Sequence, residues 1–185
     1  MATIDVLTVI DPVGFEDNNL PLTTSIYSIP NISNYLLTNN VKMIAETGSV
    51  RYGQSTSNIG INARQGDTIR WWDTSVVQDT NEDMIIVGFQ KYSNWDTIMG
   101  TATADTMGVG LAYIQSGFSM DTLANLKFSM NSFQNNFIKA TVLNNAPIGG
   151  NASYYLIVAK LDVSQVGTPK LKGLYRFDPS ITVVS

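Results

Sequence analysis

Two tryptophan–aspartate pairs are the residues of this sequence best suited to bind a ligand. Trp72 precedes Asp73 in a β-rich segment, and Trp95 precedes Asp96 in a polar loop. An exposed indole can stack on a sugar ring while a neighbouring carboxylate accepts hydrogen bonds from the sugar hydroxyls. These four residues therefore form a candidate carbohydrate site. For Trp72 we favour the alternative that a second sheet, or the segment 31–57, covers it as part of a core.

A run of oxygen-bearing side chains resembles a calcium-binding loop in composition. It contains Asp79, Asn81, Glu82 and Asp83, and a second acidic cluster occupies residues 16–19. Calcium takes about six to eight oxygen ligands, and the run lacks the central glycine and the spacing of an EF-hand. We therefore favour solvated acidic loops, although the oxygens would converge if both loops lay at one end of a sandwich. No other cofactor is indicated.

The absence of histidine and cysteine removes most catalytic chemistry from consideration. Without them there is no imidazole base and no thiolate nucleophile, and a transition metal has only carboxylates to bind. Paired carboxylates could still act on glycosides, but the chain has 15 acidic residues and no motif that selects a pair. The sequence predicts a protein that is not an enzyme.

The charge balance argues against a nucleic-acid partner. The 185 residues include 15 acidic and 11 basic side chains, which give a net charge of −4 and a pI near 4.6. A nucleic-acid binder needs a basic face to displace counterions. Asp5 and Asp11 interrupt any secretory signal, and apolar runs such as 84–89 are too short to cross a membrane. We expect a cytoplasmic protein, with inclusions as one location, no signal peptide and no membrane span.

The elements that must position these residues are predicted to be strands. Apolar residues alternate along short β-branched segments, and Gly, Pro, Asn and Asp separate the segments. The predicted strands are 4–10, 23–29, 59–63, 68–77, 84–92, 109–115, 127–130, 137–143, 153–162 and 174–184. The pattern predicts one domain over residues 1–185, an all-β antiparallel sandwich of jelly-roll or immunoglobulin-like type with a few short helical turns.

Two segments leave the local structure open. Residues 34–45 fit either a short helix or a pair of strands, so the role of the whole stretch 31–57 stays undecided. Residues 121–126 fit a single helical turn. Gly66 and Asp67, in contrast, predict a turn, because glycine tolerates positive φ and aspartate accepts backbone hydrogen bonds.

Several short motifs, taken in their order along the chain, resemble the AidA/PixA family of bacterial inclusion-body proteins. They are Ile4–Asp11, Ser25–Tyr27, Gly53–Ile59, Gly66–Trp71, Tyr154–Val158 and Gly173–Val183. The chain departs from the family pattern at Trp72, where we expect a polar residue, and at Phe177, where the aromatic residue before Asp-Pro is often tryptophan. The resemblance implies an abundant bacterial protein linked to life with an animal host. It carries over no catalytic residues.

The leading hypothesis is a non-enzymatic protein of the inclusion-body type that works through self-association and a host-related interaction. Its low charge and many Asn, Gln, Ser and Thr residues leave little electrostatic repulsion between copies, which favours a homo-oligomer. The alternative is a carbohydrate-binding, lectin-like module with a glycan ligand, assisted by calcium at the acidic loops.

Overall fold

A computed structural model describes residues 1–76, 81–114, 128–164 and 168–185 of the chain. Strands dominate it, with two short helices, α1 (Asn34–Asn40) and α2 (Trp95–Ile98), and 3₁₀ turns at Ile26–Ser28 and Thr47–Ser49. The strands are β1 (Thr3–Ile10), β2 (Val41–Ala45), β3 (Val50–Tyr52), β4 (Gly60–Ala63), β5 (Thr68–Ser75), β6 (Glu82–Lys91), β7 (Thr103–Ile114), β8 (Phe128–Thr141), β9 (Asn151–Asp162), β10 (Lys170–Phe177) and β11 (Ser180–Val183).

The strands form two sheets. One has five strands in the order β2-β1-β5-β8-β7, and the other has six, in the order β10-β9-β11-β4-β3 with β6 also paired to β9. The predicted all-β sandwich is confirmed. The expectation of antiparallel pairing needs one correction, because β1 pairs with β5 and β4 with β11 in parallel. Parallel neighbours need a long crossover connection. The chain between β1 and β5 provides one, because it contributes β3 and β4 to the other sheet before it returns.

The core lies between the inward faces of the two sheets. In β1, Ile4, Val6 and Ile10 are buried, as the alternation predicts. Aromatic rings fill the centre, where Trp71 of β5 donates from its indole nitrogen to the Tyr154 hydroxyl of β9 at 2.7 Å. The same apolar cluster includes residues of the first strand, β1, and of the last strand, β11. Both ends of the chain therefore contribute to one core.

The predicted strand 23–29 is wrong. Residues 26–28 form a 3₁₀ turn, and the segment crosses the outer face of the six-stranded sheet without pairing as a strand. There Ile29 is buried with Ile157, Ala159 and Leu174 in a second apolar cluster. Pro21 and Pro30 bracket this segment. Burial of Ile29 and a hydrogen bond from the Arg176 guanidinium to Ile26 O at 3.0 Å hold it on the sheet, and backbone pairing with Arg176 begins only at its end.

The stretch left undecided by the sequence contains both of the alternatives considered for it. Residues 34–40 form α1, whose first turn is capped by the Ser33 hydroxyl accepting from Leu36 N at 3.4 Å. The chain then turns directly into β2, which pairs with β1. The predicted turn at 121–126 lies outside the described residues.

Other strands differ from the prediction in length rather than in kind. The segments 127–130 and 137–143 join into one strand, β8, which runs beside the whole of β7. The C-terminal segment 174–184 instead divides into β10 and β11 at Asp178-Pro179, because proline cannot donate to the ladder. Among the described residues, no helix is both long and apolar enough to span a bilayer.

Candidate functional site

Trp72 lies on the outer face of the five-stranded sheet, yet its side chain is covered. Only 8% of the residue is exposed, and its ring packs against Phe137 with centroids 4.4 Å apart. Its indole nitrogen donates to Asp5 Oδ1 at 2.6 Å, and the Arg70 guanidinium lies 5.2 Å from its ring centroid. Neighbouring side chains therefore use both the donor and the faces of this indole.

Arg70 closes this outer-face cluster through a bidentate pair with Asp5. Its Nε lies 2.7 Å from Oδ1 and its second terminal nitrogen 2.6 Å from Oδ2. Partial burial by itself raises the pKa of Asp5, but the hydrogen bonds from Arg70 and Trp72 hold it below its ordinary value. The cluster is a satisfied network around a carboxylate that stays ionised.

Asp73 points away from Trp72, because side chains alternate along β5. It shares the inner side of the sheet with Trp71 and accepts a hydrogen bond from the Ile86 backbone of β6. Desolvation, supported by the nearby negative charge of Asp83, raises the pKa of Asp73 to about 6. The structure therefore does not bring the Trp72 ring and the Asp73 carboxylate to one binding surface.

The second pair is divided in the same way. Trp95 begins α2 and is 1% exposed, with its ring against Phe89 at 4.5 Å and its indole nitrogen donating to Gly100 O at 3.1 Å. Asp96 lies on the exposed side of the turn and pairs with Lys91 of β6. Trp95 is thus a core residue in the described structure, and Asp96 a surface residue.

Of the four proposed calcium ligands, Asp79 lies outside the described residues. Asn81 is exposed and its carbonyl accepts from Val163 N at 2.6 Å. Asp83 accepts from the backbone of Met84, and a Glu82 oxygen lies 2.9 Å from Lys160 Nζ. No group of three or more acidic side chains converges as a metal site in the parts of the chain that are described.

One described residue from each acidic cluster, Asp17 and Glu82, contacts the same lysine. Lys160 Nζ is 3.0 Å from Asp17 Oδ1 and 2.9 Å from Glu82 Oε1, and it donates to Phe15 O at 2.6 Å. Asp17 also pairs with Lys172 at 3.2 Å. An ammonium group supplied by the chain therefore takes the central position that a bound cation would need.

Burial and pairing set the ionisation of this Lys160 cluster. The Lys160 side chain is only 6% exposed. Burial on its own lowers the pKa of Lys160, but the hydrogen bonds that its ammonium donates to Glu82 and Asp17 raise the pKa above the ordinary value. The Lys160 hydrogen bond in turn lowers the pKa of Asp17. The paired charges compensate the cost of burying the Lys160 ammonium.

Sequence reasoning missed Lys160, although a signal was present. It occupies the inward register of β9 after Ala152, Tyr154, Leu156 and Val158, which are all buried in the core. A lysine at such a position is rarely buried without a partner. The alternation thus predicts that acidic groups approach the end of β9, but it cannot identify them, because Asp17 is 143 positions away.

A surface groove with a mixed polar and apolar lining lies beside this cluster. It has a volume of about 460 Å³ between the loop 14–18, the segment 30–36 and Tyr175. Tyr35 is 74% exposed at its rim, and Asp17 contributes a carboxylate. The Tyr175 hydroxyl donates to the Glu16 carbonyl and fixes the loop. The groove offers hydrogen-bonding groups and an aromatic side chain.

The sequence model of the PixA family, described as inclusion body protein, matches residues 2–183. The chain belongs to this family. A crystal structure of an inclusion body protein of the PixA family from Burkholderia cenocepacia J2315 is similar in fold, with a TM-score of 0.62 and 18% identity over 98% of this chain and 95% of that chain. No curated protein matches the sequence. The resemblance derived from the ordered motifs is therefore confirmed.

Two of the motifs that carried the PixA resemblance have structural roles. Gly66 has φ of +82°, and the buried Asp67 accepts from Ala2 N at 2.6 Å and from Arg64 N at 2.9 Å. Asp178-Pro179 separates β10, which pairs with β9, from β11. After this break, β11 pairs with both β9 and β4. In this PixA-family chain, these motifs determine the backbone path rather than a site.

Proposed function

We propose that this inclusion-body protein of the PixA family acts without catalysis, by associating with copies of itself in the cytoplasm and through a host-related interaction. The observation that carries the proposal is the family match over residues 2–183. An inclusion body is a dense deposit of protein, so its constituent must tolerate and form contacts with itself. The host-related part is supported only by the sequence resemblance to the family.

The distribution of charge supports association between copies. Only 14% of residues are charged, and the net charge is −4. Several of these charges are paired within the chain, including Arg70 with Asp5, Lys139 with Asp105, and Lys160 with Asp17. Weak net charge leaves little repulsion to keep copies apart at neutral pH.

The absence of catalysis is supported by where the titratable groups lie. Asp73, whose pKa is raised to about 6, faces the interior beside the Ile86 backbone rather than a cleft. A general base must lie within hydrogen-bonding reach of a substrate proton. The Lys160 ammonium is held by two carboxylates and a carbonyl, so it has no lone pair to act as a nucleophile.

A concentration series tests self-association. Light scattering and sedimentation of the purified chain at neutral pH should show a mean mass that rises with concentration. Circular dichroism at each concentration confirms that the growing species remain folded. Protein that stays strictly monomeric at the highest concentration reached would overturn the proposal.

Carbohydrate binding is a second candidate, and the groove is now its best location. Its support is the exposed ring of Tyr35 beside the carboxylate of Asp17, an arrangement suited to stacking on a sugar and accepting from its hydroxyls. A glycan array, read with and without calcium, tests it. Tyr35→Ala should abolish binding, whereas Tyr27→Ala, at a residue that is also 74% exposed, should not. A blank array retires this candidate.

A further inference from the structure

Strand β7 forms an edge of the five-stranded sheet and is uncovered there. It pairs with β8 along its whole length, from Thr103 opposite Lys139 to Ile114 opposite Phe128. On its other side, no strand or segment of the described chain pairs with it. A strand in this position presents a row of free backbone donors and acceptors to the solvent.

Two other edges, at β2 and at β10, are partly covered by the chain itself, while the edge strand β3 is only three residues long. Along β2, Met43 N donates to Thr56 O at 2.8 Å, so the segment 53–56 lies against that edge. Along β10, Asn19 N donates to Lys172 O at 2.8 Å. Both edges thus have their backbone groups partly satisfied within one copy.

The edge of β6 is partly occupied by side chains from the end of β5. Met84 N donates to Ser75 Oγ at 2.8 Å, and Ile86 N donates to the carboxylate of Asp73. The inner side of β8 faces β5 and approaches β6 beyond it. Within the described residues, β7 is therefore a long edge strand with no backbone partner along one whole side, as are residues 130–137 of β8 on the side that faces β5.

The sequence of β7 also lacks the usual protection against strand pairing. Edge strands are commonly guarded by lysine, proline or an unpaired charge. The twelve residues of β7 contain no lysine and no proline, and their single charge, Asp105, is neutralised by Lys139 of β8 at 2.5 Å. Gly108 and Gly110 are exposed and present no side chain to hinder an approaching backbone.

We propose that β7 is the edge through which two copies of this chain join, with their β7 strands antiparallel about a twofold axis near Gly108. This inference rests on the proposed self-association and names the surface for it. Pairing of the two edges would make one continuous sheet from two five-stranded ones. Because a twofold contact uses the same surface on both copies, it closes a dimer, and larger deposits add contacts between dimers.

The position of the charge favours this orientation. With the axis near Gly108, the two Asp105 residues lie six positions apart, or about 20 Å along the strands, beyond the Debye length at physiological salt. A parallel, in-register pairing would instead place the two carboxylates side by side, which destabilises a sheet. The antiparallel arrangement therefore keeps the like charges of the two copies apart, whereas the parallel, in-register arrangement does not.

Gly108→Lys tests the edge directly. A Cβ at Gly108 would lie 3.7 Å from Gln134 Nε2, which is an ordinary contact, so the fold accommodates the side chain. The added lysine should weaken dimerisation at least about 10-fold in sedimentation velocity, as charges on an edge do. Gly48→Lys is the matched control, because a Cβ there meets nothing within 4 Å and the residue lies away from β7.

Cross-linking gives a second readout that does not depend on the lysine variant folding. The chain has no cysteine, so Gly108→Cys introduces a single thiol close to the twofold axis. Mild oxidation should yield a disulfide-linked dimer, whereas Gly48→Cys should remain monomeric under denaturing electrophoresis. A wild-type chain that stays monomeric overturns the proposed self-association. A chain that associates but gives no Gly108 cross-link overturns only the pairing through β7.

Discussion

At the scale of single residues, the side chains best suited to bind a ligand form hydrogen bonds, ion pairs and ring contacts with other parts of the chain. Trp72 and Trp95 donate to protein oxygens and are covered by aromatic rings. Lys160 supplies the positive charge between two acidic loops. The sequence offered the two tryptophans as candidate ligand residues, with burial favoured for Trp72, and it did not identify Lys160. The partners of Trp72 and Lys160 are remote in the chain, so residue type alone could not show these internal contacts.

Replacement of Lys160 tests how much the buried ammonium stabilises the fold. Lys160→Met should lower the free energy of unfolding by about 2 to 4 kcal/mol, because it removes the buried ammonium that pairs with both Asp17 and Glu82 and leaves Asp17 only the more exposed Lys172. Chemical denaturation at pH 7 measures the loss. Lys91→Met, in an exposed pair with Asp96, should cost less than about 1 kcal/mol. Equal losses in the two variants would contradict the role of burial.

Asp73 should make stability depend on pH in a defined direction. Its folded pKa is about 6, above the ordinary 3.8, so the native state holds the proton more tightly than the unfolded chain. The resulting stabilisation is complete below pH 3.8 and is lost as the pH rises through 6. Asp73→Asn imitates the protonated form and retains an acceptor for Ile86 N.

The variant should therefore exceed the wild type in stability at pH 7.5, by up to about 3 kcal/mol, and approach it at pH 4. Denaturant unfolding at several pH values gives this difference for each pair of samples. The exposed Asp96→Asn is the control and should show no comparable trend. A difference that grows as the pH falls would have the wrong sign.

At the scale of elements, local sequence predicted strands better than it predicted their neighbours. Alternation placed β1, β4, β5, β6 and β9 within a few residues of their observed bounds. It failed at 23–29, because β-branched residues occur there without a strand to pair with. The separate predictions at 127–130 and 137–143 became one strand, since pairing with β7 extends through the polar residues between them.

The turn at Gly66 provides a prediction for one element boundary. Gly66→Ala should lower the free energy of unfolding by about 1 to 2 kcal/mol, because an alanine is strained at φ of +82°. Gly48→Ala, at an open position without positive φ, should change it by less than about 0.5 kcal/mol. Thermal unfolding of both variants makes the comparison. A Gly66→Ala variant as stable as the wild type would show that the turn tolerates a side chain.

At the scale of the whole molecule, the two ends of the chain are built into the same sandwich. Thr68 N donates to Ala2 O at 2.9 Å, and Val184 N donates to Ala63 O at 2.9 Å. The core formed in this way leaves a surface of low net charge and, among the described strands, a long edge at β7 with no backbone partner. This combination suits a protein of the PixA inclusion body family that associates with itself.

Association should strengthen as the pH approaches the isoelectric point. Lowering the pH from 7.5 toward 4.6 reduces the net charge from about −4 to near zero and removes the remaining repulsion between copies. Light scattering at fixed concentration should therefore rise, while circular dichroism confirms that the fold persists. Scattering that falls while the protein remains folded would contradict an association limited by net charge.

The sequence by itself determined the class of fold, the turns and the chemistry that is absent. These properties depend on residue type and on alternation, which act over a few positions. Tertiary structure decided the parallel pairings of β1 with β5 and β4 with β11, the covering of Trp72, and the meeting of Asp17 and Glu82 at Lys160. Such contacts join residues far apart in the chain, and they depend on which sheet faces become covered once the whole chain has folded.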